Sequence, residues 1–251
     1  MSCAINTIEL WFVDFAQVED DVAARCLSLL DDDELTRQGR FVFERDRRAY
    51  AISHGLVRTM LSHFRPSIPP KQWRFEANAY GRPEIVGNDS APTLRFNLSH
   101  TRGAALCGVG FDCELGVDIE AVDRQSSCVE LADRYFAPTE AADLMRLPTD
   151  RRRDGFFDYW TLKESYIKAR GMGLAIPLDQ FAFSLAPAAP IRLSCSAQLA
   201  DDGRSWQFAK STMEERFRLA AAVRRPNGGA SRFQLRQVVP TVGLGPAVEL
   251  V

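Results

Sequence analysis

Two stretches of the chain, some forty residues apart, carry side chains suited to holding a charged ligand: Gly116-Val117-Asp118-Ile119-Glu120 and Trp160-Thr161-Leu162-Lys163-Glu164-Ser165-Tyr166-Ile167-Lys168. The first alternates apolar and acidic residues, the period of a half-buried β-strand. Val117 and Ile119 then face the core, while Asp118 and Glu120 share the opposite face. The second reads as a helix in which Glu164 and Lys168, four residues apart, are neighbours on one face. Packed side by side, the two elements gather three carboxylates and a lysine. Carboxylates that close repel unless a cation or base lies between them. A hard cation such as Mg²⁺ takes a few carboxylates together with waters and phosphate oxygens. Each acid taken singly reads equally well as a solvated surface group, and Glu164 with Lys168 as an ordinary helix ion pair. Spacing alone leaves both readings open.

Other candidates surround this pair. His100 ends the alternating run Leu94-Arg95-Phe96-Asn97-Leu98-Ser99, beside Thr101 and Gly103. It reads either as a hydrogen-bonded structural histidine or as an anion contact. Arg82 lies in the turn Tyr80-Gly81-Arg82-Pro83, where Gly and Pro are the punctuation, and could join it. The run from Arg37 to Arg48 is a solvated helix face with room for one or two inward guanidinium forks, which suit phosphate.

The elements that must position these residues follow from periodicity and breakers. Residues 5–15 predict a strand. Acids at Asp31-Asp32-Asp33-Glu34 open a helical region that runs to Phe64, with a break near Asp46. Strands are expected over 94–99, 104–111 and 116–120. Helices are expected over about 127–135, from Pro138, and over about 154–169, stopped by Gly171 and Gly173. Phe181–Leu185, Ile191–Cys195, Trp206–Lys210 and Phe217–Val223 read as antiparallel strands, and Pro226-Asn227-Gly228-Gly229 as the start of a looser tail. The expected architecture is α+β in two subdomains, residues 1–112 and 113–225, with a tail over 226–251. The acidic strand lies near their junction, where clefts commonly form.

Composition bounds the function. The chain has 251 residues, 46% hydrophobic and 25% charged, with a net charge of −2, which is ordinary for a globular protein and argues against bulk binding to nucleic acid or membrane. No apolar run is long enough for a membrane span, and the start of the chain does not resemble a signal peptide. A cytoplasmic location is the expectation. Six cysteines stand at irregular spacings without a Cys-x-x-Cys pair, so reduced, buried thiols are expected rather than a zinc site.

Taken in order, Tyr80-Gly81-Arg82-Pro83, Phe96-Asn97-Leu98-Ser99-His100-Thr101, Gly116–Glu120 and Trp160–Lys168 resemble the motif series of the 4′-phosphopantetheinyl transferases, in their larger, surfactin-synthetase-activating type. Gly39-Arg40-Phe41-Val42-Phe43-Glu44-Arg45-Asp46 is also similar to that family. The resemblance covers about residues 35–185. It implies two similar subdomains related by a pseudo-twofold axis, with coenzyme A between them. By the same resemblance Asp118, Glu120 and Glu164 match the Mg²⁺ ligands, and Lys168 the lysine on the pyrophosphate. Arg37, Arg82, Ser99 and His100 match positions that grip the 3′-phosphoadenosine part, and Glu140 matches an acid proposed as general base. Arg82 stands where lysine is frequent and Thr101 where serine is common.

The implied reaction is transfer of 4′-phosphopantetheine from coenzyme A to a serine of an apo acyl- or peptidyl-carrier protein, releasing 3′,5′-ADP. Glu164, Glu140 or a water on the metal would take the serine proton. The implied protein is a monomer, because two fused subdomains already enclose the cleft. The acidic carrier would dock on an apolar strip with a basic rim; Leu131, Phe136 and Met145 are candidates for it, though their patterning favours the core. The acids alone also fit a Mg²⁺-dependent phosphohydrolase of a nucleotide or coenzyme A, and the scaffold alone fits a non-catalytic binding module.

Overall fold

In the computed structural model, residues 6–88, 91–122, 128–173, 176–186 and 189–250 are described. The apolar run predicted to be the first strand forms β1 (Thr7–Asp14), buried along its whole length. Such a strand needs cover on both faces. One cover comes from α1 (Asp20–Ser28) and α3 (Glu44–Phe64), whose Val22, Cys26, Ile52, Leu56 and Met60 pack with Trp11 and Val13 of β1. The other is a second sheet, whose Val117, Ile119, Leu219 and Val223 meet Ile8, Leu10 and Phe12.

The first sheet has the order β12-β11-β1-β5-β4, with β4 (Leu94–Thr101), β5 (Ala104–Phe111), β11 (Arg232–Val239) and β12 (Gly243–Leu250). The second has the order β6-β10-β9, with β6 (Glu114–Ala121), β9 (Trp206–Met213) and β10 (Phe217–Arg224). Its outer face is covered by α6 (Arg152–Arg170), with α4 (Cys128–Tyr135) and α5 (Pro138–Arg146) beside it. The molecule is thus four layers deep: helices, sheet, sheet, helices.

The break in the first helical region falls at Arg40–Phe43 rather than at Asp46. It separates α2 (Asp32–Gly39) from α3. Asp31 and Glu34 close a capping box at the start of α2, each carboxylate accepting from the other residue's backbone N–H, which satisfies donors the first turn leaves open. Gly171 ends α6 at φ 66, the left-handed conformation that glycine adopts without penalty.

The tail is the main departure from expectation. Residues 232–250 form two ordered strands, with β11 running parallel to β1 from Thr7↔Arg232 to Phe12↔Gln237. The segment buries Phe233 and Leu235, two apart, and then Val238 beyond a register shift between Arg236 and Val238, an irregular pattern further obscured by the Gly and Pro on either side. The tail therefore completes the first sheet rather than hanging from the second subdomain. Cys26, Cys107 and Cys113 are buried free thiols, Cys128 is buried and Cys195 is partly buried; Cys3 lies outside the described residues.

Candidate active site

Glycine at 116 decides how close α6 comes to the acidic strand. A Cβ there would lie 2.1 Å from Ser165 O and 2.3 Å from Ala169 N, so only a hydrogen at that position lets the helix backbone rest on β6. The contact places Glu164 and Lys168, which flank Ser165 by one and three residues, over Asp118.

A row of side chains on β4 fixes β6 from its other edge. Asn97 Oδ1 accepts from Val117 N at 2.8 Å, Ser99 Oγ from Ile119 N at 3.4 Å, and Thr101 Oγ1 from Ala121 N at 3.2 Å. Spaced by two, these residues share one face of β4 and satisfy the edge N–H groups of β6 in place of a neighbouring strand. Two of them also bind the acids. Ser99 Oγ donates to Asp118 Oδ1 at 2.8 Å, and Thr101 Oγ1 donates to Glu120 Oε2 at 3.1 Å. The stitching role of Asn97 and Thr101 was not anticipated, although the Asn-x-Ser-x-Thr alternation carries it.

Lys168 closes the cluster. Its Nζ lies 2.6 Å from Asp118 Oδ1 and donates to Ser99 Oγ at 2.8 Å. Asp118 is 3% exposed, because α6 covers the face of the strand that it shares with Glu120. Its Oδ2 is buried without a hydrogen-bond partner, a costly state for a carboxylate oxygen and one that a cation would relieve. Burial, followed by the negative charge of Asp118, pushes the Glu164 carboxyl up to about 7; Lys168 opposes this and Glu120 adds to it. The three acids thus act on one another across the two elements. Among the described residues no three acidic, histidine or cysteine side chains are arranged to hold one metal ion as they stand, and the Lys168 ammonium lies on Asp118 Oδ1. The donor set is all oxygen, with one buried oxygen unsatisfied, and it suits a hard divalent cation.

His100 sits at the exposed outer end of β4, on the side opposite Ser99 and Thr101. Partial desolvation, the Lys168 ammonium and His54 together hold it below the ordinary histidine range. Arg37 is exposed in the last turn of α2. The structure therefore groups Ser99, Asp118, Glu120, Glu164 and Lys168, with His100 on the other side of β4 yet within reach of the Lys168 charge, and leaves Arg37 apart on α2.

Two predicted site residues are placed differently. Arg82 donates from Nη1 to Lys168 O at 3.0 Å and Ala169 O at 2.9 Å, and from Nη2 to Leu115 O at 2.9 Å. The first two are end-of-helix carbonyls, where a cation is favoured, and the third belongs to β6. The guanidinium locks the C-terminus of α6 to β6 instead of presenting its fork to a phosphate. Glu140 is fully buried in an ion pair with Lys163, 2.7 Å from Nζ. Its oxygens also accept from Ala137 N and Phe183 N, and Lys163 donates further to Leu178 O and Phe181 O. Burial pushes the Glu140 carboxyl up and the Lys163 amine down. With Lys163 and two backbone N–H groups held on its oxygens, Glu140 serves to tie α5 to α6 and to Phe183.

Among the surface candidates, Phe136 is core and stacks on Phe156 at 5.2 Å, Leu131 is partly buried, and Met145 is exposed. No described helix is long and apolar enough to cross a membrane.

Comparison with known proteins bears directly on this geometry. Residues 114–222 match the model of the 4′-phosphopantetheinyl transferase superfamily, and residues 18–107 that of the 4′-phosphopantetheinyl transferase N-terminal region. The chain is 33% identical over 220 residues to the 4′-phosphopantetheinyl transferase HetI of Nostoc sp., covering 80% of this chain and 90% of that one. It is 33% identical over 162 residues to the Bacillus subtilis enzyme Sfp, covering 64% and 69%. A Xenopus laevis relative, an L-aminoadipate-semialdehyde dehydrogenase-phosphopantetheinyl transferase, is 30% identical over 220 residues, covering 83% and 72%. These relatives are transferases and lend nothing to the phosphohydrolase reading. The stitched cluster takes its hydroxyls, Ser99 and Thr101, from within residues 18–107 and its acids and lysine from within residues 114–222, and the chain belongs to the 4′-phosphopantetheinyl transferase family.

Proposed function

We propose that this chain moves 4′-phosphopantetheine from coenzyme A to the serine of an apo acyl- or peptidyl-carrier protein at the Asp118–Glu120–Glu164–Lys168 cluster. The observation that carries the assignment is the approach of Lys168 Nζ to Asp118 Oδ1, 2.6 Å, beneath a Glu164 whose carboxyl is pushed up to about 7. Asp118, Glu120 and Glu164 would hold Mg²⁺, which when bound supplies charge neutralisation of the pyrophosphate. Lys168 would then exchange its contact with Asp118 for the phosphate oxygens and stabilise the charge that develops as the bond to 3′,5′-ADP breaks. Ser99, hydrogen-bonded to both Asp118 and Lys168, keeps the two side chains aligned through that exchange.

The carrier serine oxygen forms the new bond to the β-phosphorus, its proton passes to a base, and the phosphate oxygen of 3′,5′-ADP leaves. Glu164, one helical turn from Lys168 on α6, is our choice of base. Glu140 is not, because its oxygens already accept strong hydrogen bonds. Positioning and electrostatics account for most of such catalysis. We further propose a monomer in the cytoplasm, with a hydrophobic and basic rim meeting an acidic carrier.

The test is to incubate the protein with coenzyme A, Mg²⁺ and several apo carrier proteins, then weigh the carriers by mass spectrometry. The gain of one phosphopantetheine on at least one carrier is expected, with loss of that gain in Asp118→Ala. Intact coenzyme A and unmodified carriers throughout would overturn the proposal.

A further inference from the structure

On the face of the second sheet that α6 covers, residues line up in rows across β6, β10 and β9. Asp118 stands opposite Ala220, and Ala220 opposite Lys210. One row on, Glu120 stands opposite Arg218, and Arg218 opposite Thr212. Residues directly opposite in an antiparallel pair share a face, with Cβ atoms about 5 Å apart. Two acids of the cluster therefore have a basic residue in their own row. Ala220 keeps Lys210 one strand away from Asp118, but for Glu120 the base is the adjacent side chain, and an arginine is long enough to close on it.

Arg218 is turned towards the helix instead. Its Nη2 lies 2.8 Å from Asp154 Oδ2 and its Nε 3.5 Å from Asp158 Oδ1, while Nη1 donates to Thr212 Oγ1 at 2.7 Å. The side chain is only 11% exposed. Lys210 Nζ lies 2.7 Å from the other oxygen of Asp158. Asp154 and Asp158, four residues apart, are neighbours on one face of α6, in the half of the helix that precedes Glu164. The helix thus brings two sets of acids to the sheet. Asp154 and Asp158 hold the cations of β9 and β10, and Glu164 joins the cluster on β6. Glu120 itself accepts from Thr101 Oγ1 of β4 at 3.1 Å.

We propose that Asp154 and Asp158 are positioning residues for the metal site: they draw the Arg218 guanidinium onto α6, so that it does not compete with Mg²⁺ for its row neighbour Glu120. This rests on the reading of Asp118, Glu120 and Glu164 as the Mg²⁺ ligands. A guanidinium is always charged and matches a carboxylate with two parallel N–H groups. An arginine beside a metal ligand is therefore a standing rival for it. Two carboxylates on the neighbouring helix outweigh one on the neighbouring strand, and the hydroxyl of Thr212 holds the third nitrogen on the side away from β6.

The test is a double-mutant cycle on the full chain, read by calorimetric titration with Mg²⁺ alone. Four proteins are compared: the wild type, Arg218→Gln, the pair Asp154→Asn with Asp158→Asn, and all three changes together. The aspartate pair should weaken Mg²⁺ binding about threefold or more, as the released guanidinium turns to Glu120. Arg218→Gln alone should leave Mg²⁺ binding within about twofold of the wild type, because its guanidinium is already withdrawn. Added to the aspartate pair, Arg218→Gln should return the affinity to within about twofold of the wild type. The Mg²⁺ concentration that transfer requires should move in the same order.

Two results would overturn the proposal. If Arg218→Gln strengthens Mg²⁺ binding equally in both backgrounds, the charges act only through their summed field. If it weakens binding in the wild-type background, the ion pairs merely fasten α6 to the sheet. Should the paired variant not fold, Asp154→Asn alone carries the same comparison at smaller amplitude. Asp118→Ala separates this inference from the reading beneath it. Mg²⁺ binding that is lost in Asp118→Ala, yet indifferent to Arg218 in every background, sinks the positioning role and leaves the metal site standing. Binding that survives Asp118→Ala sinks the metal site itself.

Discussion

Replacing Glu164 by glutamine should stabilise the metal-free protein while abolishing its activity. In the folded chain burial, then Asp118 and Glu120, displace the Glu164 carboxyl from its ordinary 4.5 to about 7, with Lys168 in partial opposition. The folded protein therefore holds this proton more tightly than the unfolded chain, and stability falls as pH rises from about 4.5 through about 7. The whole displacement corresponds to at most about 3 kcal/mol above pH 7 and to less than about 1 kcal/mol at pH 5.

Glutamine keeps the shape and removes the charge, so the variant escapes that cost. For a chain of this size a gain of that order raises the melting temperature by roughly 5–10 °C. The assay is thermal unfolding at pH 5 and pH 8, in a chelator and then in Mg²⁺. At pH 8 in chelator Glu164→Gln should melt above the wild type, and at pH 5 the gap should mostly close. Mg²⁺ should raise the wild-type midpoint through preferential binding to the folded state and move the variant much less. A variant that melts lower than the wild type at pH 8, or one that gains as much from Mg²⁺, would refute the electrostatic account of the cluster.

Glu140→Gln should cost about 3–5 kcal/mol in denaturant titrations, because it strands the buried Lys163 ammonium. Glu140→Gln combined with Lys163→Met should regain most of that loss and keep transferase activity; inactivity of a stable double variant would return Glu140 to the list of bases. Gly116→Ala drives a methyl into the backbone of α6 and should cost about 3 kcal/mol or more, with activity falling as Glu164 and Lys168 are displaced; an unchanged melting point would contradict the close contact. Truncation after Pro226 removes β11 and β12, bares the edge of β1 and exposes Ile8, Leu10 and Phe12 on one side of the core. That chain should aggregate or melt far lower in thermal scans, and a soluble truncation with the full midpoint would show the tail to be dispensable.

Much of the local structure was legible because its signals are local. The Leu94–Ser99 alternation, the Pro138 start of α5 and the Gly171 stop of α6 depend on neighbours within a few residues, and β4, α5 and α6 follow them closely. The tail was not legible, since Gly and Pro around 226–229 and 243–246 mask a strand whose partner, β1, lies more than two hundred residues away. For Asp118, alternation left a solvated and a covered position open, because it describes one strand, and the helix that covers its outer face comes from elsewhere in the chain.

Arg82 and Glu140 sharpen the same point. Each stands in a family motif, yet Arg82 spends its guanidinium on carbonyls of Leu115, Lys168 and Ala169, and Glu140 is locked to Lys163. A motif preserves residue types without saying whether a ligand or the chain's own backbone uses them.

By itself, the order of residues determined the family resemblance, the run of helices and strands, and the inventory of acids, lysine and hydroxyls that chemistry would need. Only the tertiary structure decided which of them meet. Lys168 reaches Asp118, and Glu164 ionises near neutrality, because Gly116 lets a helix backbone rest on a strand and because three side chains of β4 stand in for a missing neighbour. Distances between remote residues, and the burial and charge that accompany them, are properties of packing, and no local pattern encodes them.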